Sequence, residues 1–128
     1  MKQFTFRKEE RLHFDKEFRR IFKKGRALRN SGFTMFAYKR SELSESSIKN
    51  ARLGLVLSRK VGMAVDRNRI KRQLREIFRL NKHTLRQDFD IVFMAREKLA
   101  PFKYDKLQGI VFNLWERAKV LKQPQSSI

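Results

Sequence analysis

The chain has 128 residues, 41% of them hydrophobic, which suits one folded domain with its own core and argues against global disorder. Lys and Arg number 32 against 13 acidic residues, and the formal net charge of +19 calls for a polyanion as partner, nucleic acid first and an anionic membrane surface second. There is no cysteine, hence no disulfide framework and no thiolate metal site, and no apolar run approaches the ~20 residues that span a bilayer.

Residues 1–12 read as a basic arm carrying Phe4, Phe6 and Leu12; they lack the apolar centre of a signal peptide, so the cytoplasm is the expected location. Phe14, Phe18, Ile21 and Phe22 then recur at i, i+4, i+7 and i+8 and predict a helix. Asp15 suits its N-cap, Lys23 and Lys24 suit the negative end of its dipole, and Gly25 suits its stop. Phe33 to Lys39 alternates as a strand, with Phe33, Met35 and Ala37 on one side and Thr34, Phe36 and Tyr38 on the other. Ser41 to Asn50 reads as an exposed connection. Arg52 to Ser58 is apolar on both faces and reads as a central strand, with an antiparallel hairpin to the first strand as the simplest pairing.

Arg59 to Val65 reads as a loop containing Gly62. Asp66 caps a long basic helix running to about Leu80, with Asn81 as its terminator. Asp88 to Ala95 is a third strand, and Pro101 punctuates the next connection. Asp105 caps a last helix with a stripe of Leu107, Ile110, Val111, Leu114, Ala118 and Leu121. The predicted order is α-β-β-α-β-α in a single α/β domain over residues 1–122, with residues 123–128 as a loose tail.

The basic helix carries the strongest functional signal. Ile70, Leu74, Ile77 and Phe78 form one apolar face, while Asn68, Lys71, Arg72, Arg75 and Arg79 lie roughly opposite. A charged run is usually a solvated helix face held by intrahelical pairs. Here Glu76 is the only acid after Asp66, and Lys71, Arg75 and Arg79 repel one another at i, i+4 spacing. That pattern points to an external row of negative charge.

No catalytic constellation accompanies it. His13 and His83 stand apart without a nucleophile pattern, the five glycines are scattered, and no HExxH or ligand cluster occurs. The acidic pairs Glu9-Glu10 and Asp88/Asp90 read as charge balance or as flanks of elements. Of the 12 phenylalanines most belong to a core, but Phe18, Phe22 and Phe36 have Phe14, Ile21, Phe33 and Met35 beside them to fill it. Aromatic faces next to Arg and Lys form a platform for unpaired bases, worth ~1–3 kcal/mol per base, which suits a single strand rather than a duplex.

The helix motif Arg67-Asn68-Arg69-Ile70-Lys71-Arg72 resembles the signature helix of the bacterial ribonuclease P protein family. The likeness extends upstream through Leu57-Ser58-Arg59-Lys60-Val61-Gly62 and downstream through Leu74-Arg75-Glu76-Ile77-Phe78-Arg79. The segments Phe18-Arg19-Arg20-Ile21-Phe22-Lys23-Lys24-Gly25 and Phe89-Asp90-Ile91-Val92 also stand in the family's order, so the likeness spans about residues 5–120.

The resemblance implies an αββαβα sandwich similar to the second domain of a small-subunit ribosomal protein. It also implies a left-handed βαβ crossover, where the general rule predicts a right-handed one. It implies a non-catalytic protein subunit of the endoribonuclease that removes the 5′ leader of precursor tRNA. The RNA subunit would perform catalysis and hold most of the essential magnesium; the residues assign no metal ion to the protein itself, and no obligate protein partner is inferred.

By position, Arg67, Asn68, Arg69, Lys71, Arg72 and Arg75 would face the RNA subunit. Phe18, Phe22, Phe36, Arg11, Ser58, Arg59 and Lys60 would receive the leader of precursor tRNA. Family members commonly carry a tyrosine where this chain has Phe36, so stacking there would remain without the phenol hydroxyl. The alternatives are a ribosomal or other structural RNA binder, whose groove is filled by core, and a DNA-binding regulator. The latter is disfavoured because no helix directly precedes Asp66 to complete a helix-turn-helix.

Overall fold

A computed structural model describes residues 10–12, 15–40, 50–99 and 101–122. Phe14, His13, most of the arm, most of the 41–50 connection and the 123–128 tail lie outside the described residues. The elements are α1 (Asp15–Lys24), β1 (Arg26–Asn30), β2 (Phe33–Lys39), β3 (Arg52–Leu57), α2 (Ala64–Asn81), β4 (Phe89–Ala95) and α3 (Tyr104–Ala118). Single 3-10 turns at Arg59–Val61 and Lys82–Thr84 flank α2.

The order therefore holds one strand more than the residue pattern predicts. β1 and β2 form a two-residue hairpin through Ser31 and Gly32, whose φ values of 53° and 90° are the two positive angles a type I′ turn requires.

The predicted hairpin between Phe33–Lys39 and Arg52–Ser58 does not form. The sheet order is β1-β2-β4-β3, with β4 inserted between its two presumed partners, antiparallel to β2 and parallel to β3. β3 is thus an end strand, not a central one. Its apolar character on both faces reflects cover by helices on both sides and a patch over its outer edge. There Arg11 pairs with Leu53 as a parallel bridge, and the Leu12 amide donates to the Leu53 carbonyl at 3.0 Å. A parallel β3–β4 pair needs a crossover, and α2 supplies it.

Alternation decides which side each residue serves. Phe33, Met35, Ala37, Leu53, Leu57, Ile91 and Phe93 face the α2 and α3 stripes, including Leu74, Ile77, Phe78, Leu107, Leu114 and Trp115, in the main core. Thr34, Phe36, Tyr38, Gly54, Val56, Asp90 and Val92 face the other way, where α1 lies. Ile21, Leu12 and Val92 form a smaller core there, with Phe18, Phe22, Phe36, Tyr38 and Val56 half-buried around it.

Helix boundaries shift by a turn or less from the pattern. Met63 holds the N-cap position of α2, and Asp66 sits inside its first turn, 3.6 Å from Arg69. Lys103 precedes α3 and Asp105 lies in its first turn, while Asp15 is the first residue of α1. These acids complement the positive ends of the dipoles instead of capping them. α3 stops at Ala118, where Lys119 turns left-handed with φ 58°; Leu121 leaves the helical stripe and bridges Leu85.

Candidate nucleic-acid interface

Sheet register builds the cleft. Phe36 on β2 lies opposite Val92 on β4, and Val92 lies opposite Gly54 on β3, so one row crosses the α1 face. Above this row α1 carries Phe18 and Phe22 on one side, four residues apart. The Phe22 ring meets Phe36 edge-on at 4.9 Å and is tilted against Phe18 at 6.2 Å. The three rings predicted for the cleft are therefore one continuous aromatic run, each ring half-buried. A filled core would have enclosed them, so the geometry goes against the structural RNA-binder alternative.

Gly54 makes room for this arrangement. A Cβ placed there would stand 2.6 Å from Phe18 Cε1 and 3.0 Å from Leu12 Cδ1, so the ring rests directly on backbone. Gly54→Ala is expected to lift Phe18 off the strand at a cost of about 1–3 kcal/mol in unfolding free energy, measured by urea denaturation. The ring tip is the mobile end of its side chain. Tryptic or optical probes of the core should accordingly change less than the packing of Phe18, read from aromatic NMR shifts.

Beside Phe18 a cavity of about 210 Å³ is lined by Arg11, Leu12, Leu53, Gly54, Leu55 and Arg75. It opens where the edge of β3 separates the two faces of the sheet. The sequence assigns Arg75 to the RNA-subunit side and Arg11 to the leader side. The structure brings both guanidinium-bearing residues to one pocket, so the two predicted surfaces are contiguous. The arm is held in place here by Glu10, whose carboxylate is buried and 2.8 Å from Lys82 Nζ.

On α2, Asn68, Arg72 and Arg75 are exposed, with Arg67, Arg69 and Lys71 half-exposed. Arg67 also donates to the Gly62 carbonyl at 2.7 Å, which ties the signature helix to the loop before it. Arg79 pairs with Glu76, whose carboxyl is held below the ordinary carboxylate range by that hydrogen bond. Arg59 and Lys60 lie exposed on the 3-10 turn that leaves β3. Ser58 precedes them, and its Oγ accepts from the Lys60 amide at 3.3 Å as the cap of that turn. Both basic residues and Ser58 thus lie past the C-terminal end of β3, beyond the aromatic row rather than within it.

A buried charge network has no counterpart in the sequence pattern. Asp90 reads from spacing as charge balance, but it is 1% exposed near the start of the interior strand β4. It accepts from Arg40 Nη1 at 2.6 Å and from Arg52 Nε and Nη2 at 2.8 and 2.7 Å. Arg52 extends a further hydrogen bond, at 2.6 Å, to Glu17 on α1. Arg40 also donates to the carbonyls of Phe89, Asn50 and Gln87, joining both ends of the 41–50 connection to β4. Burial alone would push Arg52 down, yet its hydrogen bonds and attraction to Asp90 and Glu17 leave it above its ordinary value. The network fixes α1, one residue before Phe18, to the sheet. No spacing rule reports it, because the partners come from four separate segments.

Among the described residues no three His, Cys, Asp or Glu side chains gather in a way that could hold a metal ion. Among them, too, no helix is long and apolar enough to cross a membrane. A basic helix, an aromatic run and two arginines lining the pocket beside Phe18, on an α/β sandwich, define an RNA-binding protein that offers a surface.

The comparisons with known proteins make this specific. The Ribonuclease P family model matches residues 6–119, and the chain belongs to that family. A ribonuclease P protein component from Clostridium novyi is 35% identical over 112 residues, 88% of this chain and 96% of the relative. One from Thermotoga maritima is 41% identical over 96 residues, 75% of this chain and 77% of the relative. The solved Staphylococcus aureus RNase P protein superposes with a TM-score of 0.76 at 31% identity, covering 88% of this chain and 98% of that one. The Thermotoga maritima protein structure gives a TM-score of 0.71 at 37% identity, with 84% and 96% covered. The chain is accordingly a protein component of a tRNA-processing endoribonuclease complex, and its partner is ribonuclease P RNA.

Proposed function

We propose that the chain docks on ribonuclease P RNA through the exposed face of α2 and holds the 5′ leader of precursor tRNA along the Phe18–Phe22–Phe36 cleft. One observation carries this reading: three half-buried rings form a continuous row, and Phe18 at one end of it borders a pocket that Arg11 and Arg75 also line. Stacking rewards an unpaired strand of any sequence, and the cations draw its phosphates. A substrate leader passing this pocket would touch the docking helix and the cleft together. Arg67, Asn68, Arg69, Lys71 and Arg72 are assigned to the RNA subunit, and Ser58, Arg59 and Lys60 to the leader's onward path past the end of β3.

Bond cleavage is assigned to the RNA. The magnesium ions are likewise assigned to the RNA subunit, and no step on this chain is routed through such an ion. The protein's contribution is positional, a higher local concentration and a fixed orientation of leader and RNA. The test is precursor-tRNA cleavage at low magnesium by ribonuclease P RNA with and without the protein. A rise in kcat/KM for leader-bearing substrate is expected, and a reaction that the protein leaves unchanged would overturn the proposal.

A further inference from the structure

The first turn of α2 carries an anomaly that phosphate binding does not explain. Met63 and Val65 are 74% and 71% exposed, and Ala64 between them is exposed too. These two are the most exposed large hydrophobic side chains among the described residues. They stand between Arg59 and Lys60 on one side and Asn68, Arg69 and Arg72 on the other, all polar or cationic. Val65 neighbours Asn68 and Arg69 directly at i+3 and i+4 on the helix surface.

An apolar patch set within the docking face asks what covers it. A second copy of the chain is disfavoured, since each copy carries +19 and the rim is cationic. An acidic protein would satisfy the rim, but the family partner is RNA, and the patch is continuous with the surface assigned to it. Phosphates offer nothing apolar. A duplex hides its base faces by stacking, and the deep, narrow major groove of A-form RNA admits no side chains.

We propose that Met63 and Val65 meet the faces of unstacked bases, so that this end of α2 seats on an unpaired segment of ribonuclease P RNA. Apolar side chains act in this way where proteins wedge against nucleobases. The inference rests on the reading of α2 as the docking helix. It adds that the contact has two chemistries: phosphates meet the arginines, and bases meet the apolar turn.

Salt dependence separates the two. Affinity for ribonuclease P RNA is measured over a series of salt concentrations for Met63→Ser/Val65→Ser, for Arg72→Ala, and for Met63→Leu/Val65→Ile. The serine pair is expected to bind on the order of tenfold more weakly. Its slope of log K against log salt should be unchanged, because no phosphate contact is lost. Arg72→Ala should reduce that slope by about one. The Leu/Ile pair should bind like the parent.

Serine is a preferred N-cap, so Met63→Ser supports the helix, and a loss of affinity is not a loss of fold. Chemical probing should show unpaired nucleotides protected by the parent and released with the serine pair. Unchanged affinity, or a slope that falls as for Arg72→Ala, would overturn the inference. So would loss of binding to phosphatidylserine vesicles with RNA affinity intact, which would assign the patch to a membrane surface. If Arg72→Ala leaves the slope unaltered while the serine pair weakens binding, the arginine assignment fails and the base contact stands.

Discussion

Asp90→Asn is expected to lower the unfolding free energy by about 3–5 kcal/mol and the melting temperature by roughly 10–20 °C. The substitution keeps the shape of the side chain and removes its charge. Arg40 and Arg52 then remain buried beside a neutral amide, and guanidinium groups do not shed a proton to escape. Asn also offers one acceptor oxygen where three hydrogen bonds now converge from the two arginines on a carboxylate. Asp88→Asn is the control. Its pair with Arg86 is 3.3 Å long with both side chains more than a third exposed, so less than about 1 kcal/mol should be lost. Thermal and urea melts of the two variants side by side decide the matter. Equal melting points would mean that the Asp90 network is not what joins the strands to the 41–50 connection.

Phe18→Ala with Phe22→Ala is expected to reduce affinity for leader-bearing precursor on the order of 100-fold, with mature tRNA bound as before. On the proposed reading two bases would lose their platform, while the charges on α2 stay in place. Neither ring is fully buried, so the fold should lose less than the usual 3–5 kcal/mol for a core phenylalanine (roughly half of it per site). Holoenzyme assembled from the variant and tested on both substrates gives the ratio directly. Equal loss on precursor and mature tRNA would remove the leader from the cleft. Loss confined to assembly with ribonuclease P RNA would move the cleft to the docking face.

Much of the fold is legible in the residue pattern. Helical spacing locates α1, α2 and α3 because each buries a stripe, and Ile70, Leu74, Ile77 and Phe78 are all in the core as the pattern requires. The aromatic row is foreseeable because Phe33 and Met35 already satisfy the other side of β2. β1 is not, because Arg-Ala-Leu-Arg-Asn is short, basic and largely exposed, as edge strands tend to be. Its signal lies in the turn, where Ser31-Gly32 between two runs marks a hairpin. Strand order fails for a different reason. Alternation says which face a residue serves and nothing about which strand lies beside it. The role of Gly54 has a trace in the sequence, since a glycine inside an apolar strand marks close approach by another group. The Glu17–Arg52–Asp90–Arg40 network leaves none, since each member alone reads as a solvated charge.

The place of β4 in the sheet carries a consequence for synthesis. Residues 89–95 form the strand that separates β2 from β3, so both wait with open edges while α2 and everything before it leaves the ribosome. Only the β1–β2 hairpin can close early, and the remaining pairing is long-range and slow. The sheet row beneath the aromatic rings lacks Val92, its middle member, until that strand arrives. A nascent chain of this kind exposes its cationic helix before its sheet is complete. Its first encounter with nucleic acid can therefore precede its own fold.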